Sequence, residues 1–269
     1  GVALGEIEKI VHGTTVATNA VIEYDGAEVG MLTTRGFRDI LLLARGKRPH
    51  NFSMQFDVPW QSKPLVKRRN RIPITERIMP PDGNIEVAMD EDEVRAAAEL
   101  LKSRGVEAVI VCFIYSFLNN AHEQRAKEIV KEILPVIYVS CSSEVADVIR
   151  EYERFSTAAM NAFIGPRTSY YLNNLQNSLR AEGVNAEIRV MQSNGGVTTI
   201  EGGSERPVTI LMSGPAGGVI GGKWAGDLSG VENLITVDIG GTSADICLIK
   251  DGQYELTNNG RVGEWPLSF

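Results

Sequence analysis

Apolar positions along the chain repeat at two different spacings. Val94, Ala97, Ala98 and Leu101 recur at helical spacing behind Asp90, and Glu93 stands where a capping box places it; this predicts a helix stopped by Gly105. Val106–Ile114 is an apolar run, the signature of a strand covered on both faces. Asn119 or Asn120 caps a further helix running to about Leu134, and Val136–Ser140 reads as the next strand. Upstream, Thr15–Tyr24 predicts a helix, Ala27–Thr33 a strand and Gly36–Ala44 a short helix, whereas 45–83 is irregular and rich in Pro, Arg and Lys, the composition of a surface excursion. Downstream, helix Glu151–Ile164 ends at Gly165-Pro166, a second helix runs to Glu182, and strands follow at Glu187–Gln192 and Val208–Leu211. Such alternation predicts an α/β protein.

The character changes after Ser193, where 13 glycines fall between there and Gly241. Glycine at this density between apolar strands marks backbone that approaches itself or a ligand closely. Leu234–Ile249 reads as two apolar strands around Gly240-Gly241-Thr242-Ser243, with Asp238 closing the first and Asp245 opening the second. Successive turn amides form a concavity for phosphate oxygens, two hydroxyls add donors, and a carboxylate suits Mg²⁺ beside phosphate. This reading outweighs a hairpin whose glycines serve turn geometry alone. Ser213–Lys223 contains Gly217, then Gly222-Lys223, but Trp224 stands where a phosphate loop needs Ser or Thr, so that loop is rejected. The segment reads as a glycine-rich helix start whose amides at 214–217 either face an anion or permit close packing. His12–Asn19 is hydroxyl-rich at a helix start, where Thr14 or Thr15 serves as an N-cap.

Composition narrows the classes. With 43% apolar and 23% charged residues the chain builds a core. Its net charge of −7 supplies no general attraction to nucleic acid or anionic lipid. The basic cluster Lys63, Lys67, Arg68, Arg69 and Arg71 reads as a solvated loop, and Arg150–Arg154 as a charged helix turn. No apolar run reaches bilayer length and no signal-peptide core stands at the start, which leads to the expectation of a soluble cytoplasmic protein without membrane contact. Cys112, Cys141 and Cys247 are odd in number and widely spaced, so they are expected as reduced thiols, with Cys112 and Cys247 in apolar strands. His12, His50 and His122 are too scattered to suggest a metal cluster.

Taken together, seven segments resemble the hydantoinase/oxoprolinase family in their order: His12–Ala20, Gly36–Asp39, Ser142–Val145, Arg150–Arg154 with Ser156-Thr157, Met191–Gly196, Ser213–Gly218 and Asp238–Ser243. The resemblance spans essentially the whole chain and implies an actin-like ATPase fold, two ribonuclease-H-like lobes holding ATP and Mg²⁺ between them. It further implies that a first phosphate hairpin belongs upstream of this sequence and the rest of the second lobe beyond Phe269. Residues 1–150 are then the remainder of the N-terminal lobe, and 151–269 begin the hydantoinase A-type domain. On this basis the isolated chain is expected to show little or no ATPase activity. The implied site comprises Gly240, Gly241, Thr242 and Ser243 for phosphate, Asp238 for Mg²⁺, and Asp245 for water or metal. Ser213, Gly214, Gly217, Gly218, Asn194, Gly195 and Gly196 line the cleft, with His12, Thr14, Thr15 and Asn19 facing it. The implied activity is ATP-dependent ring opening of a small cyclic amide alongside a second, B-type subunit or domain. The alternatives are a ketone carboxylase subunit and a non-catalytic nucleotide-binding assembly module.

Overall fold

A computed structural model describes residues 4–46, 59–239, 244–255, 259–263 and 265–268. In chain order its first elements are β1 (Lys9–His12), α1 (Val16–Ile22), β2 (Val29–Thr34), α2 (Ile40–Leu43), α3 (Pro59–Ser62), β3 (Arg71–Ile74), β4 (Arg77–Met79) and β5 (Asn84–Val87). Next come α4 (Glu91–Ser103), β6 (Ala108–Cys112), α5 (Ala121–Ile133), β7 (Tyr138–Cys141), α6 (Ser142–Val145) and α7 (Glu151–Ala181). The remainder forms β8 (Glu187–Met191), β9 (Val197–Thr199), α8 (Ile200–Glu205), a 3₁₀ turn at Pro207–Ile210, α9 (Ser213–Ser229), β10 (Leu234–Ile239), β11 (Ala244–Ile249), β12 (Asn259–Val262) and β13 (Trp265–Ser268). Among the described residues, no helix is long and apolar enough to cross a membrane.

Contacts divide the chain into a first unit, residues 1–25 with 167–257, and a second, 26–166 with 258–269. This differs from a single boundary at 150, because β1 pairs in parallel with β8 and so joins the first residues to the later segment.

The second unit is built on a parallel sheet ordered β3-β2-β6-β7. Every residue of β2 and β6 is buried, as central parallel strands require. Val94, Ala97, Ala98 and Leu101 of α4 and Ile129 and Val130 of α5 pack on this sheet with Leu32, Val109, Val111 and Phe113. A side chain at Gly30 would come within 2.7 Å of Leu101, so α4 docks where the strand has none. Only half of the expected capping box forms. The Glu93 amide donates to Asp90 Oδ1 (3.0 Å), while the Glu93 carboxylate turns to the Thr75 amide and to Arg35. At α5, Asn120 occupies the cap position, but it is Asn119 Oδ1 that accepts from the Ala121 amide. His122 is spent on Glu76 (2.9 Å).

Four readings of the sequence are corrected. Within 45–83 the described part holds β3 and β4, and Arg71 is buried rather than solvated. Its Nε and Nη2 donate to the Val66 carbonyl, and burial pushes its pKa down to about 10. Arg68 grips Asp39 with two nitrogens and Lys67 pairs with Glu28, so much of the basic cluster is matched internally. The helices expected on either side of Gly165-Pro166 are one helix. Burial of Phe155, Ala158, Ala159, Ala162, Phe163 and Ile164 outweighs the cost of about 3 kcal/mol for an interior proline. Val208–Leu211 is a 3₁₀ turn opened by Pro207 instead of a strand. Cys247 is only half-buried, unlike Cys112 and Cys141.

In the first unit, the sheet runs β1-β8-β9, and β10 and β11 form an antiparallel hairpin against α9. The glycines of α9 are what permit this contact. A Cβ at Gly226 would lie 2.6 Å from Leu234 Cδ2 and 2.7 Å from the Val231 carbonyl, whereas one at Gly221 meets nothing. Gly226→Ala is therefore expected to cost about 1–3 kcal/mol in denaturant melts. Gly221→Ala is expected to be neutral or to stabilise by up to about 1 kcal/mol, through helix propensity.

Candidate functional site

Strands β1 and β8 run in parallel, and the loops leaving their carboxyl ends, His12–Thr15 and Gln192–Gly196, are both glycine-bearing. Such loop clusters are where open α/β sheets present backbone to ligands. Both are stitched to the start of α9. Ser213 Oγ donates to the Thr14 carbonyl (3.0 Å) and accepts from the Thr14 amide (3.2 Å). The Met212 amide donates to Thr18 Oγ1 (3.0 Å). Ser193 Oγ donates to the carbonyls of Thr209 and Leu211 (2.8 and 2.6 Å), on the turn that leads into the helix.

These bonds decide which predicted residues keep free chemistry. Ser213 is fully buried and its hydroxyl is committed to Thr14. Asn194 Oδ1 accepts from the Gly196 amide (2.9 Å) and shapes its own loop, with Gly195 at φ +83°. Thr15 occupies the N-cap position of α1 without a side-chain bond, and Thr14 Oγ1, one residue earlier, accepts from the Val16 amide, so the expected threonine side-chain cap does not form. Asn19 is half-buried on α1, and no hydrogen bond joins its side chain to this cluster among the described residues. Thr18, Ser193 and Met212 were not singled out by sequence, although Thr18 and Ser193 lie inside segments that carried the resemblance.

What remains open is the N-terminus of α9 and Asp238 on the adjoining hairpin. Met212 holds the left-handed conformation at φ +59° and turns the chain sharply into the helix. The amides of Ser213 and Gly214 have no intrahelical acceptor, Pro215 has no amide to satisfy, and the helix dipole adds positive potential there. A Cβ at Gly217 would lie 2.9 Å from Met191 Sδ, and one at Gly218 would reach 4.0 Å from Asp238 Oδ2. Asp238 thus lies on the hairpin face turned to this helix, and Asp245 stands directly across the ladder from it. Like charges in register repel unless a cation lies between them. Gly240, Gly241, Thr242 and Ser243 fall outside the described residues. Among the described residues no group of three or more His, Cys, Asp or Glu side chains forms a metal cluster. An ion here would draw on one or two carboxylates, phosphate and water, the usual habit of Mg²⁺.

His12 closes β1 beside this cluster and hydrogen-bonds through Nε2 to the Tyr171 hydroxyl (2.8 Å). Burial lowers its pKa below the ordinary 6.5. The unfolded chain then binds the proton more readily, so this contribution to stability is present above pH 6.5 and is lost as pH falls through the folded pKa. A proton NMR titration is expected to give His12 a midpoint under 6.5.

The parallel strands, the loops at their carboxyl ends and the glycine-rich helix on an acidic hairpin define an α/β architecture. Residues 1–134 match the hydantoinase/oxoprolinase N-terminal region, and residues 154–269 match the hydantoinase/oxoprolinase domain. The chain belongs to the hydantoinase/oxoprolinase family. It is 36% identical to caprolactamase subunit alpha of Pseudomonas jessenii over 95% of this chain and 36% of that one. The crystal structure of the ATP-dependent caprolactamase from that organism matches with a TM-score of 0.83, over 98% of this chain and 38% of the other. A nucleotide-free acetone carboxylase structure, solved in work on ATP-dependent acetone carboxylation, matches with a TM-score of 0.88 at 27% identity, over 99% and 38%. The 5-oxoprolinase of Saccharomyces cerevisiae is 30% identical over 94% of this chain and 21% of its own length. The chain spans little more than a third of the length of its solved relatives.

Proposed function

We propose that this chain forms part of the nucleotide site of an ATP-dependent cyclic amidohydrolase, acting with a second subunit or domain. The observation that carries the reading is the convergence of the loops after β1 and β8 on the free N-terminus of α9, with Asp238 on the adjoining hairpin face. The donor set fits the group it would hold. Amides without acceptors suit phosphate oxygens, and two opposed carboxylates suit a hard divalent cation. A cyclic amide is a poor electrophile because resonance ties up its carbonyl. When bound, ATP with Mg²⁺ would supply a phosphoryl group that activates the amide carbonyl, so that one water adds to the carbon and the ring C–N bond breaks, the nitrogen taking a proton, while a second water releases the phosphate.

The residues of this chain would act by placement. The first-turn amides of α9 hold an anion, and Asp238, with Asp245 opposite, holds the cation that balances its charge. Gly217 and Gly218 let the backbone come close, and the bonds from Thr14, Thr18 and Ser193 fix the helix end before anything binds. Phosphoryl transfer needs such positioning and charge balance more than a covalent nucleophile on the protein. A partner subunit is supported by the caprolactamase relative being named as an alpha subunit. The unpaired thiols Cys112 and Cys141 suit the reducing, ATP-supplied cytoplasm.

The acetone carboxylase match favours a second reading, in which the same site activates a ketone for carboxylation. Phosphate release by the complete subunit with its partner, assayed with lactams, 5-oxoproline, hydantoins and aryl ketones, separates the two. Stimulation by cyclic amides supports ring opening, stimulation confined to ketones supports carboxylation, and nucleotide binding without turnover on any of them overturns both.

A further inference from the structure

We propose that the second unit carries its own pocket for a small organic carboxylate with an apolar body, where β2 and β6 end. This rests on the second unit alone and does not depend on the nucleotide reading above. The sheet order is β3-β2-β6-β7. The chain therefore leaves β2 toward β3 on one side, and leaves β6 toward β7 on the other. Diverging exits from neighbouring parallel strands open a crevice at their carboxyl ends, which is where α/β sheets bind ligands. A cavity of about 900 Å³ lies at this place, lined by Gly36–Ile40 after β2 and by Ile114 and Tyr115 after β6. That is ample for a small molecule.

The lining is specific in its chemistry. Arg77 stacks over the Phe37 ring at 4.9 Å and has no carboxylate partner among the described residues. Arg38 gives Nη2 to the Arg68 carbonyl (2.8 Å), but its Nε is buried without an acceptor. Asp39, also in the wall, is already spent on two nitrogens of Arg68 (2.9 Å each). Arg77 and Arg38, each with a donor unused, thus share the lining with Glu151 as the remaining carboxylate. That balance suits a monoanion, and planar guanidinium groups match carboxylate geometry. Phe37, Ile40 and Ile114 supply apolar wall, and the long helix start in the described lining, that of α7, carries Glu151, whose carboxylate disfavours a dianionic phosphate. Tyr115 holds φ +59°, a conformation costly for a non-glycine residue and frequent at binding sites.

Calorimetric titration of the full chain with benzoate, benzamide and inorganic phosphate tests the assignment. Benzoate is expected to bind at least about tenfold more tightly than benzamide and more tightly than phosphate, and Arg77→Gln to weaken benzoate about tenfold or more, since it removes one charge-assisted bond. Leu43 lines the rim and is 66% exposed, so Leu43→Glu leaves the fold intact while setting a repelling charge there. It is expected to weaken benzoate with an unchanged melting temperature, and it keeps the test decisive should Arg77→Gln fold poorly. Equal binding of benzoate and benzamide, preference for phosphate, absence of binding in millimolar benzoate, or indifference to Leu43→Glu would each overturn the proposal.

Discussion

Replacing Asp238 by alanine in the complete subunit is expected to lower substrate-stimulated ATP hydrolysis by about 10²-fold or more, the scale of removing one preorganised electrostatic stabiliser beside a reacting phosphate. The side chain is exposed on the hairpin and makes no packing contribution that would confuse the result. Removing one of two opposed carboxylates relieves repulsion across the ladder, so the variant should melt at the same temperature or slightly higher. Activity and stability therefore move in opposite directions, a pattern that damage to the fold does not produce. Asp238→Asn keeps the shape and drops the charge, and it should lose nearly as much activity and demand more Mg²⁺ for half-maximal rate. Asp245→Ala should have the smaller effect. A rate within about threefold of wild type for Asp238→Ala would mean that this face of the hairpin does not balance phosphate charge.

The parts legible in the sequence are those whose signal is local. The α4 face, the buried strand β6 and the hairpin β10–β11 each announce themselves within a dozen residues by spacing alone. Glycine density likewise points to α9, and the structure joins a close approach to β10 with a free helix start, which sequence leaves as alternatives. Sequence reading fails where distant residues decide. Pro166 stays within a helix because the surrounding turns are buried, a fact no local rule contains. β3 is hidden in an irregular segment because its four residues take their strand character from pairing with β2. Ser213 and Asn194 fit a binding motif by residue type, yet the Ser213 hydroxyl and the Asn194 side-chain oxygen are committed to the protein itself. Arg154 reads as part of a charged turn and is instead wholly buried, because its partners come from three other places in the chain.

That arginine belongs to the network whose disruption should cost the most stability. Strand β6 is followed directly by Phe113, whose amide donates to Glu123 Oε1 (2.9 Å) and whose carbonyl accepts from Arg154 Nη2 (2.9 Å). Ser142 Oγ joins the two, donating to Glu123 (2.6 Å) and accepting from Arg154 Nε (3.1 Å). The Ser143 amide and hydroxyl complete the set around Glu123 (3.0 and 2.7 Å). A buried carboxylate thus gathers four donors from α6 and the strand exit, and Glu123→Ala strands all of them at once. The expected loss is about 3–5 kcal/mol, or a fall in melting temperature on the order of 10 °C. Glu123→Gln retains one acceptor oxygen and should cost less than alanine, although its amide donors meet other donors. Burial raises the Glu123 pKa above its ordinary 4.5, despite these bonds to the charged form. The folded state then holds the proton more tightly than the unfolded chain, so this residue adds stability as pH falls from the folded pKa toward 4.5. The stability of wild type relative to Glu123→Gln should accordingly rise as the medium is acidified across that window. Denaturant melts of the three proteins at several pH values measure both effects. An alanine variant within about 1 kcal/mol of wild type would show that the strand exit finds other partners.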